Sequence, residues 1–132
     1  MIRLPPRFAE LAAMTNFSFL RGASHPEEMV ARAAEFELAG IGIADRNTLA
    51  GVVRAHVFAR ENKAAMGRTR VAPGARLAFG DGTPDVLAYP QDRAAYGRLC
   101  RLLTVGKSDR VFKPQREVPP HPVLLPKGRR NA

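Results

Sequence analysis

FAELAAMTNFSFLRGASHPEE, residues 8–28, runs a strand, a loop and a helix start in close succession. Phe8, Leu11 and Met14 are apolar between polar neighbours, which predicts a short, largely buried strand. Thr15, Asn16, Phe17 and Ser18 mix polar and aromatic groups, and Arg21-Gly22 supplies a turn. Ser24 and Glu27 have the spacing of a capping box, in which the hydroxyl accepts from the Glu27 N–H and the carboxylate reaches back to the Ser24 N–H. Pro26 falls in the first turn, where its missing N–H costs nothing. A loop at a strand's C-terminal end, leading into a capped helix, is where α/β folds place their sites.

Working outward, the chain alternates helix and strand. Met29, Val30, Ala33, Ala34 and Leu38 form one stripe of a helix over 26–38, which Gly40 ends. Ile41-Gly42-Ile43-Ala44 reads as a buried strand of the parallel-sheet kind. The polar loop 45–48 leads into a helix over 48–62. A strand over 71–79 is interrupted by Pro73-Gly74, and the Gly80–Thr83 turn leads to a strand over 85–89 that could pair with it as a hairpin. Asp92 begins a last helix, with Ala95, Leu99, Leu102 and Leu103 on one face and Arg93, Arg98 and Arg101 over the rest. This order predicts an α/β fold with right-handed crossovers and a largely parallel sheet, open or barrel-like.

With 132 residues, one domain is the upper bound, and a hydrophobic fraction of 45% supports a core. No apolar run is long enough for a membrane span, and residues 1–7 lack the apolar stretch of a signal peptide. The expected location is the cytoplasm. The single cysteine, Cys100, cannot form an internal disulfide and reads as a small core residue. The net charge of +9 is unevenly spread. From Lys107 onward seven cations face two carboxylates, a net +5, which leaves +4 for residues 1–106. Five prolines lie in the same segment, so 107–132 is read as a disordered or polyproline-like basic tail after a domain over 1–106. Such a tail either is a solvated terminus or binds polyanions without sequence preference.

Familiar catalytic signatures are missing. Gly40-Ile41-Gly42 precedes a strand instead of following one, so it is no dinucleotide fingerprint. No Ser-His-Asp set is identifiable. His25, His56 and His121 stand far apart, without the pairing of a metal site on one helix, and read as exposed or capping residues.

The phrases NFSFLRGASHPEE (16–28), ADRNTLAGVVRAH (44–56), PGARL (73–77) and DRAAYGRLCRLLT (92–104) occur in an order that resembles the N-terminal PHP (polymerase and histidinol phosphatase) domain of bacterial C-family DNA polymerase α subunits. They look most like the error-prone, damage-tolerant branch. The resemblance covers about residues 7–107 and implies a distorted (β/α) barrel, here incomplete, with its site at the strand C-termini. Metal-binding members carry a His-x-His pair at the end of the first strand, and Ala12 and Met14 stand there in this chain. They carry an Asp-His pair after the second, matched here by Asp45 and Arg46. They carry a Glu after the glycine of the third phrase, matched here by Arg76. Only Asp45 keeps a ligand-type side chain. Alanine offers no donor atom and a thioether is a poor ligand for hard or borderline metals. Arg46 and Arg76 would repel a cation and could pair with Asp45 instead.

The resemblance therefore implies a PHP-type portion of an error-prone polymerase, acting in DNA replication, repair and translesion synthesis. No metal, cofactor or catalytic residue is expected, and neither is a small-molecule substrate. The palm that holds the aspartates of nucleotidyl transfer is not in this sequence, so the chain is expected to be inactive alone. DNA and other polymerase or mutasome subunits are the partners implied for a full-length member. The abrupt change after Gly106 reads as a truncated or frame-shifted product, and a partial barrel is expected to be marginally stable. The alternatives are a metal-dependent phosphoesterase or exonuclease, and a small basic module that binds nucleic acid or a polymerase.

Overall fold

Four strands form one open sheet in the order β1-β2-β3-β4. The computed structural model describes residues 7–112, with only the backbone described for 109–112. β1 (Ala9–Ala13), β2 (Gly40–Arg46) and β3 (Arg70–Leu77) are parallel, and β4 (Val86–Ala88) returns antiparallel to β3. Between β1 and β2 lies α1 (Pro26–Glu35), and between β2 and β3 lie α2 (Ala50–Glu61) and the single turn α3 (Lys63–Met66). α4 (Arg93–Phe112) follows β4. The strand–helix alternation and the β3–β4 hairpin agree with the sequence reading.

In the parallel register Ile41 pairs with Val71, Ile43 with Pro73 and Asp45 with Ala75. Side chains alternate across a strand, so these residues share one face of the sheet. α1 and α2 cover that face. Ile41 and Ile43 pack there with Val30 and Ala33 of α1, Val52 and Ala55 of α2, and Met66. Val30 and Ile43 are fully buried, and each contributes about 1.5–3 kcal/mol by burial. Gly42, Ala44 and Arg46 of β2 look to the opposite face, beside Ala72, Gly74 and Arg76 of β3. There the Tyr89 ring lies over Gly42 and Gly74, where any Cβ would strike it.

Tertiary packing changes several sequence expectations. Phe8 and Leu11 are exposed, and Ala13 is the residue of β1 that enters the core. Side chains alternate along a strand, so apolar residues spaced by three do not share a face, and the β1–β2 register slips by one residue between Glu10 and Ala13. At the slip the Ala12 N–H donates to Glu10 Oε1 at 2.7 Å. The helix cap lies one residue later than expected. His25 is the N-cap of α1, its N–H donates to Glu28 Oε2 at 2.9 Å, and its Nδ1 meets Asn16 Nδ2 at 3.1 Å. Glu27 instead turns sideways to Arg54 Nε of α2 at 2.7 Å and ties the two helices together. α1 ends at Glu35, with Glu37 in the left-handed region (φ 51°), while Gly40 begins β2.

β3 runs through Pro73 without a break. β4 pairs only with Ala75–Leu77, so at Pro73 one side of β3 needs no ladder donor. Leu102 is exposed, while Leu99 of α4 is buried. The expected tail boundary at Lys107 also moves, because α4 continues to Phe112. Asp92 does start that helix, accepting the Ala95 N–H at 2.6 Å. The remainder of the expected tail, 113–132, lies outside the described residues, as does His121.

The chain's two tyrosines give the fold an alkaline limit. Burial pushes the Tyr89 hydroxyl above the ordinary 10.0, the Glu10 charge adds to this, and Arg76 offsets part of it. Burial likewise raises Tyr96, with Cys100 adding to it. The folded state thus holds these protons more tightly than the unfolded chain. Their contribution to stability is complete below pH 10 and is lost as pH climbs through the raised values. Tyrosinate absorbance of the native protein is expected to rise at higher pH than in denaturant. A native midpoint at or below the denatured one would contradict this packing.

Candidate functional site

The C-terminal ends of β1, β2 and β3 meet at Asp45, the last inward residue of β2. Its side chain is fully buried. Oδ1 accepts the Thr15 N–H at 2.7 Å and the Ser18 hydroxyl at 2.7 Å, and Oδ2 accepts the Thr15 hydroxyl at 2.8 Å. Thr15 and Ser18 are themselves buried, at 0% and 2% exposure. Ser18 Oγ also accepts the Arg46 N–H at 3.0 Å, and Thr15 Oγ1 the Phe17 N–H at 3.2 Å. An ionised acceptor makes each such bond stronger than a neutral pair would. Asp45 therefore staples the β1–α1 loop onto the end of β2.

Two glycines make room for this staple. A Cβ on Gly51, at the start of α2, would collide with Asp45 Oδ2 and Thr15 Oγ1. A Cβ on Gly22 would collide with the Thr15 carbonyl. The loop between β1 and α1 is closed by its own backbone, with Asn16 N–H donating to Ser24 O at 2.9 Å and Gly22 N–H to Ser18 O at 3.0 Å. Leu20, at φ 59°, makes the turn and is left exposed together with Phe19.

Arg46 and Arg76 do not pair with Asp45, contrary to the expectation from sequence. Strand alternation puts them on the opposite face, side by side in the β2–β3 register. Arg46 Nη1 lies 3.5 Å from Asp85 Oδ2, and Arg76 Nε is buried without a hydrogen-bond partner among the described residues. The two strands are held together beyond this point by Asn47, a residue at φ 51°. Its N–H donates to Arg76 O at 2.9 Å, and its side chain accepts the Ala78 N–H at 2.9 Å. A cleft of about 610 Å³ opens beside Arg46 and Asn47, walled by Phe17, Phe79 and α4 residues including Leu102, Leu103 and Lys107.

The five positions matched to metal ligands are thus split between environments. Asp45 faces the helices, while Arg46 and Arg76 face away from them. Ala12 lies at the β1 register slip and Met14 just beyond the strand. No group of three or more His, Cys, Asp or Glu side chains converges among the described residues. His56 lies on α2, and His25 serves as a cap. Sequence reading missed the hydroxyl partners of Asp45. Thr15 and Ser18 lie 30 and 27 residues from it, and no local pattern links them. The closeness of Gly51 to the carboxylate is equally invisible in the sequence, since a glycine near a helix start carries no mark of what packs against it.

Comparison with known proteins points to one family. An error-prone DNA polymerase of Rhodopseudomonas palustris is 61% identical over 102 residues, 77% of this chain and 9% of the relative. One of Brucella abortus is 59% identical over 106 residues, 80% of this chain and 10% of the relative. One of Bradyrhizobium is 56% identical over 103 residues, 78% and 9% respectively. The chain thus spans about a tenth of the length of these relatives. Among solved structures, one from Bifidobacterium adolescentis, named for a metal-dependent phosphoesterase, superposes with a TM-score of 0.53 at 24% identity. The match covers 74% of this chain and 33% of that one, and the two share the fold. The open four-stranded sheet is part of a PHP-type barrel. The PHP domain model matches residues 10–123, and the chain belongs to the PHP domain family.

Proposed function

We propose that this chain is the PHP portion of an error-prone DNA polymerase, and that it serves the polymerase as a structural element without phosphoester chemistry of its own. The activity of the whole protein would then be DNA synthesis across damage, with DNA and other polymerase subunits as its partners. The observation that carries the reading is the state of Asp45. Both its oxygens already accept hydrogen bonds from Thr15 and Ser18, on the face packed against the helices. The other matched positions offer no donor set for a metal. Alanine and methionine replace imidazoles at Ala12 and Met14, and two guanidiniums occupy the positions of Arg46 and Arg76. A centre that activates water needs several nitrogen and carboxylate ligands converging around one open position. These residues do not fit that requirement.

Elemental analysis after dialysis against Zn²⁺ or Mn²⁺ tests the reading, together with assays for phosphodiester hydrolysis and for release of nucleotides from a primer end. The expected outcome is less than one retained ion per chain and no turnover above a mock purification. One ion per chain with a metal-dependent hydrolysis that follows the polypeptide through two chromatographic steps would overturn it.

A further inference from the structure

We propose that Arg46 and Arg76 form a binding site for a phosphate-type oxyanion at the C-terminal mouth of the sheet. The two residues are partners in the β2–β3 register and share the face turned away from the helices. Neighbouring strands lie about 4.8 Å apart, so the two guanidinium stems leave the sheet side by side. Like charges placed directly opposite each other destabilise a sheet unless something neutralises them. Asp85 compensates one of them, at 3.5 Å from Arg46. Arg76 has no such partner among the described residues, and its Nε is buried with its hydrogen unused. A buried donor left unpaired costs about 1–3 kcal/mol, and a charged one costs more.

Further along the same face, two residues before Arg76 on β3, Gly74 lies under the Tyr89 ring. The Tyr89 hydroxyl is a second buried group without a hydrogen-bond partner among the described residues. Arg46 lines the cleft of about 610 Å³, which gives an anion a way in on the Arg46 side of the pair. A guanidinium presents a planar fork of donors that matches the oxygens of phosphate, and a dianion neutralises two forks on adjacent strands better than a single carboxylate does. Two of the positions matched to metal ligands thus carry the opposite charge preference. The inference rests on the metal-free reading of this face. Bound metal would defeat both, whereas failure to bind phosphate in metal-free protein would defeat this inference alone.

The test uses the full chain, at low ionic strength, with the Arg76 Nε–H resonance followed by nuclear magnetic resonance. Inorganic phosphate is expected to shift that resonance saturably, and Arg76→Gln or Arg46→Gln to weaken binding by about tenfold or more. Arg76→Lys, which keeps the charge and loses the fork, is expected to fall between. A short single-stranded oligodeoxynucleotide forms the second arm. If it shifts the same resonance and competes with phosphate, the ligand is a nucleic-acid backbone; if phosphate alone does so, the ligand is a free phosphate compound. A flat phosphate titration overturns the site, even where an oligonucleotide binds elsewhere on this basic chain. Acetate acting as strongly as phosphate overturns the ligand class. The wild-type resonance alone decides the matter where a variant does not fold.

Discussion

Asp45→Ala is expected to destabilise the protein by about 3–5 kcal/mol, a large share of the ~5–15 kcal/mol available to a domain. The substitution strands three buried donors at once: the Thr15 N–H, the Thr15 hydroxyl and the Ser18 hydroxyl. Water cannot reach them cheaply, since Thr15 and Asp45 are fully enclosed. Asp45→Asn keeps the shape and one acceptor oxygen while losing the charge, so its expected cost is smaller, about 1–2 kcal/mol. Ser18→Ala removes a donor to the carboxylate and an acceptor for the Arg46 N–H, and its cost should resemble that of the asparagine variant. Denaturant midpoints measure all three. The order of the effects matters as much as their size. A carboxylate held ready for a metal strains the metal-free protein, so its removal would stabilise the fold. An Asp45→Ala midpoint equal to or above wild type would therefore refute the staple and reopen Asp45 as a ligand.

Gly22→Ala carries the second large effect, on the order of 3 kcal/mol. The new methyl group would overlap the carbonyl of Thr15 and crowd that of Met14, and both obstacles are backbone. A side chain could rotate away, but a carbonyl cannot do so without opening the loop. Opening the loop breaks the Asn16–Ser24 and Gly22–Ser18 hydrogen bonds and pulls Thr15 from Asp45. Gly51→Ala acts on the same staple from the other side, against Asp45 Oδ2 and Thr15 Oγ1, with an expected cost of about 1–3 kcal/mol. Gly97→Ala provides the contrast. It sits inside α4 with nothing near its missing Cβ, so alanine is expected to stabilise by about 0.5–1 kcal/mol through helix propensity. Thermal or chemical melts of the three variants should separate clearly. Equal stability for Gly22→Ala and Gly97→Ala would mean that the loop does not hold the described conformation.

The local and periodic features of this fold are written in the sequence. The apolar run Ile41–Ala44 specifies a strand covered on both faces, as β2 is. The stripe through Val30 and Ala33, the proline at the first position of α1 and the Asp92 cap specify helices, because each depends only on neighbours within a turn. Features that depend on distant residues emerge only on folding. Ser24 and Glu27 satisfy the capping-box spacing, yet His25 and Glu28 make the cap, because Glu27 finds Arg54 across the helix pair. Phe8 and Leu11 are apolar enough for a core strand, yet both are exposed at the sheet edge.

The site divides in the same way. The motif phrases identify Asp45, Arg46 and Arg76 as the residues that matter at the strand ends. Only the pleat of β2 puts Asp45 on the helix face and its neighbour Arg46 on the other, so that adjacent residues of opposite charge never meet. The partners of Asp45 come from a loop about thirty residues earlier in the chain, a distance over which no sequence periodicity extends. Residue types and their spacing thus determine which side chains are available at the strand ends. Register and close packing decide which of them touch.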